Sequence, residues 1–104
     1  MLQPQLQNAF LERTYELDGK AGVVKLLIGK PQQVSETEWY CEYQIIGIGN
    51  ERIKKTRGID SIQALLHVLD ISPTLLRTLA GKDYKITFLG ADELMTISSE
   101  WSKN

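Results

Sequence analysis

The chain has 104 residues and a formal net charge of −1, with 12 Lys and Arg against 13 Asp and Glu. This length predicts one domain, and the balance of 42% apolar and 24% charged residues is typical of a globular protein rather than a disordered one. The near-zero charge excludes a global field that would hold nucleic acid or an anionic membrane. One short segment, residues 51–58, is nevertheless basic.

A single cysteine and a single histidine limit the available chemistry. Cys41 cannot form an internal disulfide, and one Cys with one His falls short of the roughly four ligands of a structural zinc site. No apolar run approaches the ~20 residues that cross a bilayer. Met1–Asn8 lacks the basic and apolar regions of a signal peptide. We therefore expect a cytoplasmic protein with no cofactor, no metal and no membrane contact.

The first half of the chain predicts strands joined by turns. Residues 1–8 are expected to form a flexible leader. The alternation of residues 10–17 predicts a half-buried strand, and Asp18-Gly19 predicts a hairpin turn after it. Residues 23–28 are almost continuously apolar, so they predict an interior strand, which Pro31 ends.

Residues 39–46, after a polar loop at 31–37, have the clearest strand pattern. One face is uncharged and is assigned to the core, and the other is assigned to solvent. The core face consists of Trp39, Cys41, Tyr43 and Ile45. A glycine-rich reversal at 47–50 leads into residues 52–57, which alternate weakly and predict a charged edge strand.

The second half predicts two helices and another strand. Asp60 is a suitable N-cap, and Gln63 completes a capping box. The apolar stripe after it is assigned to the core; it comprises Ile62, Leu65, Leu66 and Leu69. Ser72-Pro73 predicts the start of a second, short helix. Residues 84–89 predict the last strand. Residues 91–104 are ambiguous: Leu94, Met95 and Ile97 are compatible with a further short strand, and Trp101 with a packing anchor.

Strands followed by helices indicate an α+β fold. The chain is expected to be a single domain over residues 1–104. Its antiparallel sheet has about five strands in the order β-β-β-β-α-α-β, and a helical pair covers one face.

Catalytic signals are weak. Cys41 and His67 are the only Cys–His pair, but the strand pattern points Cys41 into the core and the helix pattern points His67 to solvent. Gly47-Ile48-Gly49 resembles the start of a phosphate-binding loop, yet it lacks the third glycine and precedes a strand instead of a helix. An enzyme using Cys41 is thus the weakest hypothesis, and we expect no enzymatic activity.

Two charged surfaces remain as candidate binding sites. An acidic, tyrosine-bearing set on the outward face of the strand near residue 40 fits either a solvated face or a patch for a basic partner; it comprises Glu36, Glu38, Tyr40 and Glu42. A basic set fits cross-strand pairing, protein docking or nucleic-acid binding; it comprises Arg52, Lys54, Lys55 and Arg57. This basic segment lacks the aromatic residues that stack on bases, so nucleic acid is the less favoured partner.

An ordered set of segments carries a family resemblance. These segments are IGKP (28–31), WYCEYQI (39–45), GIG (47–49), GIDSIQAL (58–65) and TFLG (87–90). Together they resemble, over about residues 12–90, a family of small bacterial domains of this length with no assigned function. The resemblance therefore implies no catalytic residue.

A weaker similarity in kind is to bacterial immunity proteins, which neutralise toxins by binding them. The expected function is thus non-enzymatic protein binding, most concretely neutralisation of a cognate toxin such as a nuclease, through the acidic set. The alternative is a nucleic-acid-binding module that uses the basic set. The sequence predicts neither the identity of the partner nor the oligomeric state.

Overall fold

The computed structural model describes residues 5–19 and 22–95. Over these residues the chain forms an α+β fold with six strands and one helix. In chain order they are β1 (Ala9–Asp18), β2 (Val23–Gly29), β3 (Gln32–Ser35), β4 (Glu38–Ile46), β5 (Lys54–Gly58), α1 (Ser61–Ala80) and β6 (Lys85–Thr87). The α+β class is confirmed, but the number and arrangement of helices are not.

The strands form one antiparallel sheet. Tyr43 pairs with both β2 and β5, and Tyr40 pairs with both β3 and β5. Because a strand has only two edges, β2 and β3 must follow one another along the same edge of β4. The sheet is therefore five strands wide, in the order β5, β4, β2 with β3, β1 and β6.

The sequence pattern missed β3. Its four residues are all exposed and mostly polar, so no alternation marks them. They form a strand because they continue the path of β2 past Pro31 and pair with the same edge of β4. The predicted core face of β4 is confirmed, since Cys41 is 0% exposed and Tyr43 and Ile45 are each 5% exposed.

A single helix covers the inner face of the sheet, and the predicted helical pair is wrong. Pro73 lies inside α1, and Ser72, expected to cap a second helix, is 0% exposed. Its hydroxyl donates to the carbonyl of Val68 one turn earlier. An interior proline costs about 3 kcal/mol. Burial of Leu76 and Ala80 against the sheet offsets this cost, so the helix continues.

The face that α1 presents to the sheet also differs from the expectation. Ile62 and Leu66, assigned to the core, are 68% and 54% exposed, whereas Leu65 and Leu69 are partly buried against the core as predicted. The buried residues instead recur every four positions, at Ala64, Val68, Ser72, Leu76 and Ala80. At the start of this face α1 approaches β5 closely, because a Cβ on Gly58 would lie 2.5 Å from the nitrogen of Ala64. The larger buried side chains of the face, Val68 and Leu76, lie further along the helix.

The start of the helix agrees with the prediction. The Oδ1 atom of Asp60 accepts a hydrogen bond from the backbone of Gln63 at 2.8 Å, and Oε1 of Gln63 accepts one from the backbone of Ile59, also at 2.8 Å. This reciprocal pair satisfies two amides at the helix N-terminus. Among the described residues, α1 is the sole helix, and its length and apolar character do not suffice for a membrane span.

Segments outside the main elements also contact the sheet. Leu6, in the expected flexible leader, is 5% exposed and its amide donates to Oε1 of Gln44, so it packs on the fold. Residues 1–4 of that leader lie outside the described residues. Leu94 is 0% exposed, and its carbonyl accepts hydrogen bonds from the Tyr15 hydroxyl at 3.0 Å and the Arg13 guanidinium at 3.1 Å. This part of the C-terminal segment therefore belongs to the core, whereas Ile97 and Trp101 lie outside the described residues.

Candidate functional site

The acidic candidate residues meet two of the four basic ones, Lys55 and Arg57, on the outer face of β4 and β5, opposite α1. In the register of the two strands, Glu42 lies across from Lys55 and Tyr40 lies across from Arg57. Glu36 lies in the adjoining turn, between β3 and β4. We call this surface the β4–β5 strip; it comprises Glu36, Glu38, Tyr40, Glu42, Lys55 and Arg57.

Tyr40 lies at the centre of the β4–β5 strip and is held from two sides. The ammonium group of Lys55 lies 4.8 Å from the centroid of the Tyr40 ring, and the Tyr40 hydroxyl donates a hydrogen bond to Oε1 of Gln32 at 3.2 Å. Next to it, the guanidinium of Arg57 forms an ion pair with the carboxylate of Glu38. These contacts fix the orientation of an aromatic side chain on an otherwise charged surface.

The strip is mixed in charge rather than acidic. Its three carboxylates and two cations give a formal net charge of −1. The cross-strand pairing expected for the basic segment is present at Arg57 with Glu38. An exposed pair of this kind contributes only about 0–1 kcal/mol to the stability of the fold. The main effect of these charges is therefore the charge pattern that the strip presents to solvent.

The four predicted nucleic-acid-binding cations do not form one surface. Strand geometry places alternate residues on opposite faces, so Lys55 and Arg57 face outward while Lys54 turns inward. Lys54 lines a recess with Tyr43 and Leu75. Arg52 precedes β5 and is exposed. The basic run in the sequence is therefore divided in space.

The glycine-rich reversal is a structural turn. Gly47 has a φ of 106°, and a Cβ there would lie 2.5 Å from the carbonyl oxygen of Val23. Its amide donates to the carboxylate of Glu51 at 2.9 Å. In a phosphate-binding loop a backbone amide of this kind would donate to the phosphate. Here the Gly47 amide already donates to the Glu51 carboxylate.

Cys41 and His67 point in the predicted directions. The thiol of Cys41 is 0% exposed and donates to the carbonyl of Gly29 at 3.3 Å. Burial, with a smaller contribution from the charge of Glu42, raises the pKa of the Cys41 thiol to about 11. His67 is exposed, with Nδ1 2.6 Å from the carbonyl oxygen of Arg57. Across residues 5–19 and 22–95, no three His, Cys, Asp or Glu side chains converge as a metal site requires.

Cys41 is expected to resist alkylation in the folded protein. Its pKa of about 11 leaves about one thiol in a thousand as thiolate at pH 8, and burial blocks access. We predict modification by iodoacetamide at least 100-fold slower in the native protein than in urea, measured by mass spectrometry. Rapid native labelling would contradict this placement and reopen the enzyme hypothesis.

A family model described as a domain of unknown function, DUF6968, matches residues 11–96. The chain belongs to the DUF6968 family. No curated protein and no solved structure matches it. The DUF6968 match confirms the resemblance to a family without assigned function, and it covers the whole β4–β5 strip.

The sequence identifies the members of this candidate site and predicts that the basic residues can pair with Glu42 or neighbouring carboxylates across the sheet. It leaves the acidic and basic sets as two separate binding candidates, because no pattern in the sequence fixes the register between β4 and β5. The weak alternation of β5, with charges at 55 and 57, was the one signal that these cations share an outward face.

Proposed function

We propose that this chain is a small protein-binding domain that acts in the cytoplasm without catalysis. In its most specific form, the proposal is a bacterial immunity protein that neutralises a cognate toxin, such as a nuclease, by direct binding. The proposed binding face is the β4–β5 strip.

The fixed position of Tyr40 supports this proposal most. Tyrosine and arginine are enriched among the residues that dominate binding energy at protein interfaces. In the β4–β5 strip a tyrosine lies across from Arg57, and Lys55 and Gln32 hold its ring and hydroxyl. A side chain that is already held loses less conformational entropy on binding, so this surface is prepared for a partner.

The charges of the strip suggest what the partner offers. The alternation of carboxylates and cations favours a partner surface with complementary alternation, which fixes the orientation of the complex. The excess of one carboxylate, with Glu36 exposed at one end, favours a mildly basic partner. A nuclease toxin, whose surface must attract an anionic substrate, fits this description.

The test is calorimetric titration of the chain with the protein encoded by the neighbouring gene. We expect a one-to-one complex. Tyr40→Ala and Glu38→Arg are each expected to weaken binding at least 10-fold, because each removes a contact at the centre of the strip. Asp70→Arg is a matched charge reversal on α1, in the layer opposite the strip, and is expected to change the affinity less than 2-fold.

Three outcomes would count against the proposal. The first is the absence of heat with the neighbouring gene product. The second is equal weakening by Glu38→Arg and Asp70→Arg. The third is tight binding of labelled single-stranded RNA that weakens as salt rises and is lost on Lys55→Ala, because this result identifies a nucleic-acid-binding module.

A further inference from the structure

The helix α1 covers only part of the inner face of the sheet. It packs mainly on β4 and β5, so the inner face of β1 and β2 lies to one side of it. An apolar recess of about 260 Å³ lies between this part of the sheet and the helix. Leu11, Leu26 and Ile28 line the recess from the sheet, and Leu69 lines it from α1.

The exposed apolar side chains of α1 lie on the same side of the helix as this recess. Ile62 and Leu66 precede Leu69 by seven and three residues, which is the spacing of one helix face. They are 68% and 54% exposed, and Leu11 on the opposite wall is 41% exposed. We call this surface the α1–β1 groove; it comprises Leu11, Leu26, Ile28, Ile62, Leu66 and Leu69. A contiguous apolar surface of this kind is typical of a place where another segment packs.

The last described residues are held at the wall of this groove. The Met95 carbonyl accepts a hydrogen bond from the Arg13 guanidinium at 3.0 Å, and the Leu94 carbonyl accepts one from the same guanidinium and one from the Tyr15 hydroxyl. Met95 itself lines the recess. These three hydrogen bonds fix the point at which the sequence continues into residues 96–104, and that point lies beside Leu11.

The sequence after Met95 carries its apolar residues on one face. Ile97 and Trp101 are the only apolar residues of 96–104, and the others are Thr, Ser, Glu, Lys and Asn. A spacing of four puts two side chains on the same face both in a helix and in a strand. Nine residues span about 13 Å even at the rise of a helix, and the helical wall from Ile62 to Leu69 is about 10 Å long. The segment is therefore long enough to follow the groove.

We propose that the α1–β1 groove is a docking surface for the segment of this chain that follows Met95, residues 96–104, with the indole of Trp101 between Leu11 and Leu66. Covalent attachment favours this occupant over a separate molecule, because a short tether gives an effective concentration on the order of millimolar. The β4–β5 strip lies on the outer face of the sheet, so this inference is independent of the proposed function.

Nuclear Overhauser spectra of the full, methyl-labelled chain test the contact directly. We expect cross-peaks between the indole protons of Trp101, assigned by their loss in Trp101→Ala, and the methyl groups of Leu11 and Leu66. An isotope-filtered mixture of labelled and unlabelled chains is expected to show that these contacts arise within one chain. An indole without contacts to the groove overturns the proposal, as do contacts that arise only between two chains.

Thermal unfolding gives an independent test. Trp101→Ala is expected to lower the Tm by about 4 °C or more, whereas Lys103→Ala in the same segment is expected to change it by less than about 1 °C. Trp101→Ala combined with Leu66→Ala is expected to lower the Tm by less than the sum of the two single changes, because both remove one contact.

The control for this cycle is Val23→Ala. Val23 is 53% exposed and alternates with the fully buried Val24, so it lies on the outer face of β2. Its effect is expected to add to that of Trp101→Ala. Equal Tm values for Trp101→Ala and Lys103→Ala overturn the proposal, and so does a full sum of the Trp101→Ala and Leu66→Ala effects.

Discussion

Replacement of Gly58 by alanine is expected to lower the free energy of unfolding by about 3 kcal/mol, at the upper end of overpacking effects. The added Cβ would lie 2.5 Å from the nitrogen and 3.0 Å from the Cα of Ala64. These are backbone atoms of α1, so relief requires the helix to move away from β5. That shift would also loosen the burial of Val68.

Thermal unfolding followed by circular dichroism measures this effect. At about 4–8 °C per kcal/mol for a domain of this size, the Tm is expected to fall by more than 10 °C. Gly29→Ala is the matched control, because its Cβ would meet only the flexible side chain of Asn8, at 3.1 Å. We expect that variant to unfold within a few degrees of the native chain. Equal Tm values for the two variants would contradict the close packing of α1 on β5.

Replacement of Gln44 by leucine is expected to cost about 3 kcal/mol, although the two side chains have similar volumes. Gln44 is 0% exposed; its Oε1 accepts from the amide of Leu6 at 2.8 Å, and its Nε2 donates to the carbonyl of Glu51 at 2.8 Å. Leucine leaves both backbone groups without this partner, at about 1–3 kcal/mol for each unsatisfied buried group.

Chemical denaturation in urea measures the loss from Gln44→Leu. The control is Gln33→Leu on β3, where the side chain is exposed and bonds only to the nearby carbonyl of Ser35. We expect this control to change the free energy of unfolding by less than about 0.5 kcal/mol. If Gln44→Leu is as stable as the native chain, Gln44 does not link the N-terminal segment to the glycine-rich turn.

The elements that were predicted well have patterns set by burial on one face. The core face of β4 could be assigned because it carries no charge, although Gln44, on the face assigned to solvent, is 0% exposed. The hairpin between β1 and β2 was evident from Asp18-Gly19. The start of α1 was visible in Asp60 and Gln63, since a cap is a local interaction. The signal in each case is read from residues that are close together along the chain.

The elements that were missed depend on contacts distant in sequence. Ser72-Pro73 predicts a helix start, because a local rule cannot weigh the burial of Leu76 against the sheet. The close approach of Gly58 to Ala64 joins β5 to α1, and no helical periodicity reveals it. The same holds for the candidate site. The sequence identifies its residues, but it does not predict the contact of Lys55 with Tyr40, because that contact depends on the register between β4 and β5.

The most direct test of protein binding through the β4–β5 strip is the change in backbone amide NMR signals when the neighbouring gene product is added to isotope-labelled chain. We predict that the largest shifts fall on residues 36–42 and 55–57, while the amides of α1 change little. Shifts that are confined to α1, or signals that stay unchanged at saturating partner concentrations, would contradict the assignment of this face.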